Sequence, residues 1–289
     1  MIAYNPKQWF GLIFKFHKAE TFSKLRWIML SLALYSFIIS YIEIEVYNLQ
    51  YASTTIVHSL LGFIISLLLV FRTNTAYDRW WEGRKQWGAL VNVSRNLSLK
   101  VNAFMPKEES ERKLQMADMT AAYASILRHH LRNEPTDLMI KELPQFLQAN
   151  SENAEHVPNH LATAMQQSIM LMYQKKEISE GAYLAMLQDL NAFTDICGAC
   201  ERIKKTPIPY TYNIFIKKFI FVYIMTMPFG FVSEFAYWTI IITVFTFYAL
   251  ASLELIAEEI EDPFGKDSND LPTDDLAETI SKNVAEVVR

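Results

Sequence analysis

The chain has 289 residues, a formal net charge of −4 and only eight glycines. A pI near 5.9 gives no case for a nucleic-acid partner, and no glycine-rich loop is present to cradle a phosphate. Mean hydropathy is only +0.08 because the apolar residues are gathered into a few long runs, the mark of a membrane protein.

Residues 1–25 read as a lead-in, with Trp9, Phe10, Leu12, Ile13, Phe14 and Phe16 interleaved with lysines. Such a segment lies along a membrane surface or packs on neighbouring protein. Two apolar runs free of Asp, Glu, Lys and Arg follow, Trp27–Ile42 and Tyr51–Phe71, with His58 inside the second. Each approaches the roughly 20 residues that cross a bilayer core, so residues 26–71 are expected to hold two spans. A second pair falls in 207–257. Tyr212–Val232 is interrupted by Lys217 and Lys218, read as an edge where long stems snorkel to water, and Phe235–Leu253 is uncharged.

The loop after the first span carries Glu43 and Glu45, and the turn after the third carries Glu234, without a basic residue in either. The opposite ends hold Lys24, Arg26, Arg72, Arg79, Arg84, Lys85, Lys204 and Lys205. Positive-inside bias therefore assigns both termini and the middle region to the cytoplasm. No cleavable signal peptide is expected at the start. Cys197 and Cys200 then lie in a reducing compartment, where thiols stay free.

Residues 72–206 read as a cytoplasmic helical region. Val91–Phe104 and Leu114–Leu131 have apolar residues every three or four positions, separated by Pro106 and a polar stretch, 107–113. Pro135, Pro144 and Pro158 predict short helices and loops, and a longer helix is expected over Ile178–Lys204. Pro207 and Pro209 break it before the third span. Residues 258–289 form an acidic tail: helix to Asp262, a stop at Pro263-Phe264-Gly265, then a polar end expected to dock or to stay partly disordered.

Few residues point to chemistry. Cys197 and Cys200 have CxxC spacing without a second pair, so close packing is preferred to zinc. His129, His130, His156 and His160 suggest a metal, yet no carboxylate is visibly placed to orient them, and surface histidines are expected. No cofactor, no metal and no enzymatic activity are predicted. In the second span Ser59, Gly62 and Ser66 share a stripe, flanked by Ile56, Leu60, Phe63, Ile64 and Leu67. Such a stripe serves close helix packing or lines a pore with an apolar constriction. Behind it, Arg72, Asp78, Arg79, Glu82, Arg84 and Lys85 alternate with Tyr77, Trp80, Trp81 and Trp87, and the span runs on into this charged helix without a Pro or Gly break.

Phe71–Gly88 (FRTNTAYDRWWEGRKQWG) closely resembles the signature that follows the second helix of bacterial bestrophin-type channels. Leu61-Gly62-Phe63 is similar to the bestrophin pore helix. Cys200-Glu201-Arg202-Ile203 with Thr206-Pro207-Ile208-Pro209 resembles the bacterial approach to the third span, and Asp262–Asp270 resembles the Pro-Phe-Gly acidic cluster of animal members. The landmarks stand in family order over residues 5–275.

The resemblance implies an all-α homopentamer: four membrane helices per subunit, a central pore, and a cytoplasmic vestibule. Its neck would be lined by Phe63, by Ser59 one turn back, and by Leu60 and Ile56 if the register slips. A second aperture would lie near Ile178. Asp262, Asp267 and Asp270 fall where animal members hold calcium, but Lys266, Ser268 and Asn269 replace acids, so a docking turn is expected instead of calcium gating. The expected function is an ion channel in a bacterial inner membrane that passes small monovalent ions, chloride by resemblance. Glu43, Glu45 and the stretch 254–261 would favour cations if they faced the pathway, and Arg72–Lys85 would favour anions. The rival is a non-conducting membrane anchor whose helices bind a partner.

Overall fold

The computed structural model describes residues 20–46, 55–106, 110–149, 151 and 154–288. The proposed surface lead-in, apart from its last residues, and the start of the second apolar run (51–54) lie outside the described residues. Those described form ten α-helices: α1 Glu20–Tyr41, α2 Thr55–Phe104, α3 Ser110–Leu131, α4 Thr136–Glu142, α5 Gln145–Gln148, α6 Val157–Gln174, α7 Glu180–Lys205, α8 Tyr210–Phe235, α9 Trp238–Glu261 and α10 Thr273–Val288. A π-helical turn, Ile42–Val46, extends α1. No strand occurs among the described residues.

Two compact units are present. The membrane unit contains residues 20–79 of the described chain and Pro207–Glu261. Its α1, the first half of α2, α8 and α9 are each long and apolar enough to cross a bilayer. The chain is an all-α membrane protein. Helix α1 packs along α9. Both bury small hydroxyl side chains, Ser36 and Ser40 on one and Thr239 and Thr243 on the other, which lets helices approach closely where hydrophobic burial gives no preference over lipid. A core of Leu32, Ile65, Leu69, Ile216, Ile220, Tyr223, Ile224 and Leu250 joins all four.

The polar unit contains Trp80–Thr206 and Asp262–Arg289. Its core runs from Trp87 and Leu97 on α2 through Tyr123 and Leu127 on α3 to Met165 on α6 and Phe193 on α7. Helix α7 begins two residues later than expected because Ser179 caps it, its hydroxyl accepting from the Ala182 amide at 3.2 Å. The proline pair ends helix as anticipated: α7 stops at Lys205, and α8 starts after Pro209.

Of the two outcomes expected for the polar end, docking is the one observed, and it takes a form the sequence reading did not name: residues 273–288 form an amphipathic helix that buries Ala277, Ile280 and Val284 and packs on α3. Arg132 fixes its start with a bidentate pair to Asp274, 3.1 and 2.7 Å, and a third bond to Thr273 Oγ1 at 3.1 Å.

Candidate functional site

The rotation of α2 about its own axis is set by what it buries. His58, Ile65, Leu69, Arg72 and Ala76 are all buried, at spacings of three, four and seven, so they form one inward stripe. Gly62 belongs to it: a Cβ there would lie 2.8 Å from Tyr223 Oη, so glycine is what admits α8 to this distance. His58 sits against the Tyr223 and Phe231 rings, with centroids 6.0 and 5.5 Å away.

The opposite stripe is left open. Ile56 is 84 %, Leu60 61 % and Phe63 68 % exposed, and Ser59 and Leu67 are exposed beside them. The sequence reading placed Ser59, Gly62 and Ser66 together. The structure divides them: Gly62 meets Tyr223, whereas Ser59 and Ser66 face outward and donate back to the carbonyls of Thr55 and Gly62, at 2.8 and 2.7 Å. Those bonds satisfy the hydroxyl donors without water.

The acids of 254–261 and the first arginine behind the apolar run pair with one another. Arg72 has no exposed surface, and its guanidinium lies 2.7 Å from Glu261 and 3.7 Å from Glu254. Glu261 also accepts the Ile208 amide at 2.7 Å, and its backbone carbonyl accepts Arg79 Nε at 3.0 Å. Lys24 holds Glu259 at 3.0 Å, and Lys217 holds Glu258 at 2.9 Å. One acid thus ties α2, the start of α8 and the end of α9 together within the membrane unit, and the stretch is locally neutralised.

In the polar unit, Ile178 lies in the turn before α7 and is 6 % exposed, packed into its own chain's core. The acidic turn is tightly built. Asp270 is buried, and its Oδ2 accepts the Asp267 amide at 2.7 Å. A Cβ on Gly265 would lie 2.6 Å from that oxygen. Asp262 and Asp267 are exposed. Around the turn Lys266 pairs with Glu134 at 2.6 Å, and Arg132 with Asp274. Hydrogen bonds from Lys266 and then His129 hold the Glu134 carboxyl at about 2. The basic groups around the turn thus pair with neighbouring acids.

Three of the four candidate histidines, His129, His130 and His156, are paired with carboxylates. His129 pairs with Glu134. His130 at the end of α3 and His156 at the start of α6 both place Nε2 on one oxygen of Glu201, at 2.6 and 2.7 Å. Chain separations of 71 and 45 residues hide this carboxylate from a reading by spacing. Burial works against the Glu201 charge, yet hydrogen bonds from His156 and His130 carry its pKa down to about 2. Burial lowers the His130 pKa, against the hydrogen bond to Glu201, which raises it. Cys197 and Cys200 are buried free thiols, in agreement with the packing role. Burial, followed by the Glu201 charge, pushes Cys197 up to about 12.

The comparisons with known proteins cover this whole arrangement. The model of the bacterial/fungal bestrophin protein family matches residues 1–286. The voltage-dependent anion channel-forming protein sll1024 of Synechocystis is 35% identical over 232 residues, 79% of this chain and 76% of the relative. The voltage-dependent anion channel-forming protein YneE of Escherichia coli K12 is 30% identical over 286 residues, 97% and 91% of the two chains. Among solved structures, a bacterial bestrophin homolog from Klebsiella pneumoniae superposes with a TM-score of 0.85 at 26% identity, covering 91% of this chain and 98% of that one. The named relatives are channel formers, which agrees with the expectation that the chain is not an enzyme. With the family model spanning nearly every residue and the sequence landmarks in family order, the chain belongs to the bacterial and fungal bestrophins.

Proposed function

We propose that the protein is an ion channel of the bestrophin type, in which copies of the chain assemble as a homopentamer and the exposed stripe of α2 walls a central pore. The observation that carries this reading is the rotation of α2. Its inward stripe is used up by α8, by Tyr223 and by the Arg72–Glu261 pair, and the Ile56, Ser59, Leu60 and Phe63 face is left for contact outside the chain. Apolar rings of this kind control flow by making water and ions pay a desolvation cost. Phe63 is the principal neck residue in this proposal, as the bulkiest exposed group on the stripe. Ile178 is the weaker element: its side chain is committed to its own core, so an aperture there rests on family likeness alone.

The relatives' names favour anions as the permeant class, and chloride is the proposed ion. The neutralised acids of α9 support this reading, since they leave no acidic ring to draw cations from that stretch. The proposed setting is a bacterial inner membrane with lipid against the remaining exposed apolar surface, both termini and the polar unit in the cytoplasm, following the basic residues at those ends. Calcium has no part in the proposal; Asp262, Asp267 and Asp270 act as a structural turn.

Reconstitution of the purified protein in planar bilayers tests the reading. Single-channel currents are expected, with Phe63→Ala raising conductance or shifting the reversal potential under asymmetric salt. Silence across salts and voltages would favour a non-conducting anchor instead. An unchanged current in Phe63→Ala would remove that residue from the neck, and a monomeric preparation would remove the pore.

A further inference from the structure

Within the polar unit, away from the α2 stripe, three elements bring metal-binding side chains to one point. His130 closes α3, His156 opens α6, and Glu201 sits in the last turns of α7. One ligating atom from each lies within 4.8 Å of the others. The two imidazoles stand 4.5 Å apart, centroid to centroid, and both direct Nε2 at the same carboxylate oxygen. We propose that His130, His156 and Glu201 form a binding site for a zinc-type divalent ion, with water completing the coordination.

The donor set selects the class of ion. Two imidazoles and one carboxylate suit zinc and its first-row neighbours, and they are poor company for calcium or magnesium, which require mainly oxygen. Zinc–nitrogen and zinc–oxygen bonds of about 2.0–2.2 Å set the ligand atoms of a tetrahedron about 3.3 Å apart. The present contacts of 2.6 and 2.7 Å must therefore open by about 0.6–0.7 Å. Both histidines stand at helix ends, where small shifts are least opposed by neighbouring turns. His156 is a third exposed, which gives an ion a route in and a place for water.

Metal binding carries one proton cost. His156 Nδ1 accepts the Asn159 amide at 3.1 Å, so without metal its proton is on Nε2 and is donated to Glu201. Ligation through Nε2 moves that proton to Nδ1 and gives up this one helix-cap bond. Two further groups bear on Glu201. Cys197 Sγ is 4.0 Å from the shared oxygen, and Lys205 Nζ is 3.5 Å from the other oxygen. The lysine side chain is 72 % exposed and can swing into solvent when a cation arrives.

The test uses full-length protein in detergent, purified without a histidine tag and stripped with chelator. Zinc chloride is titrated by calorimetry, bound metal is counted by mass spectrometry, and the cobalt(II) visible spectrum is recorded. One zinc per chain and an intense four-coordinate cobalt spectrum are expected. His130→Ala and Glu201→Gln should each weaken binding at least about tenfold, and His160→Ala should leave it unchanged. Glu201→Gln is nearly isosteric, and matching elution volumes and far-UV spectra of the variants separate lost ligation from lost folding. If the native protein takes up no zinc, or if the Glu201→Gln protein, still folded, binds as the native protein does, the site is refuted.

Discussion

Arg72 has no exposed surface and depends on Glu261 and Glu254 for its countercharge. Taking away one partner of a buried pair strands the other, a change worth roughly 3–5 kcal/mol. Glu261→Ala is therefore expected to lower the thermal midpoint in detergent strongly, because it also orphans the Ile208 amide. Lys217→Ala, at a pair where both side chains are about half exposed, should cost under about 1 kcal/mol. Fluorescence-detected size-exclusion after a heat series checks both. Gly62 allows a cleaner experiment. A methyl group there meets Tyr223 Oη at 2.8 Å, but the next ring atom lies at 3.5 Å, an ordinary contact. Gly62→Ala should cost about 1–3 kcal/mol by overpacking, and Tyr223→Phe should restore most of it. A double-mutant cycle that returns simple additivity would show the contact to be unimportant. The motif reading found Gly62 and Arg72 as landmarks, but their partners lie 161 and 189 positions away, at Tyr223 and Glu261. Spacing alone has no means of naming them.

Among the elements, the four spans were legible because long uncharged runs have few other uses. The uninterrupted α2 was legible too, since no proline or glycine stood between the apolar run and Trp80. Helix α10 was missed. Leu276, Ala277, Ile280 and Val284 do repeat at helical spacing, but they are diluted by acids and lysines, and only docking on α3 shows them as a face. That docking should be acid-sensitive. Asp274 is held below its ordinary 3.8 by hydrogen bonds from Arg132, and Glu134 is drawn from 4.5 to about 2 by Lys266 and His129. Carboxyls depressed in the folded state take up protons in the unfolded chain first, so their contribution is complete above about pH 4.5 and fades as pH falls towards 2. Denaturation midpoints of the polar unit, followed by near-UV dichroism, should drop over that window, and Arg132→Met should flatten the dependence. A second prediction concerns the connection between α8 and α9. Ala236 holds φ 46° and ψ −132°, a conformation that costs an L-residue about 1–3 kcal/mol. Ala236→Gly is expected to raise the thermal midpoint, and a lower one would contradict this account.

For the molecule as a whole, charge was the least legible property. Counting residues left selectivity open, with Glu43, Glu45 and the acids of 254–261 set against Arg72–Lys85 as independent charges, which the acids of α9 and Arg72 are not. Paired, they largely cancel, so selectivity should be insensitive to them. Glu258→Gln, at an exposed pair, is expected to leave the reversal potential under a salt gradient unchanged, whereas Phe63→Ala moves conductance or the reversal potential. The histidine–glutamate cluster was equally hidden, because three helices must fold together before its atoms meet. Burial of the two native thiols, finally, has a practical consequence. Cys197 and Cys200 are 2 % and 0 % exposed, and burial keeps both protonated, whereas sulfhydryl reagents attack the accessible thiolate. The wild-type background should therefore be silent to maleimides, so single cysteines introduced along α2 can report, position by position, which of them water reaches.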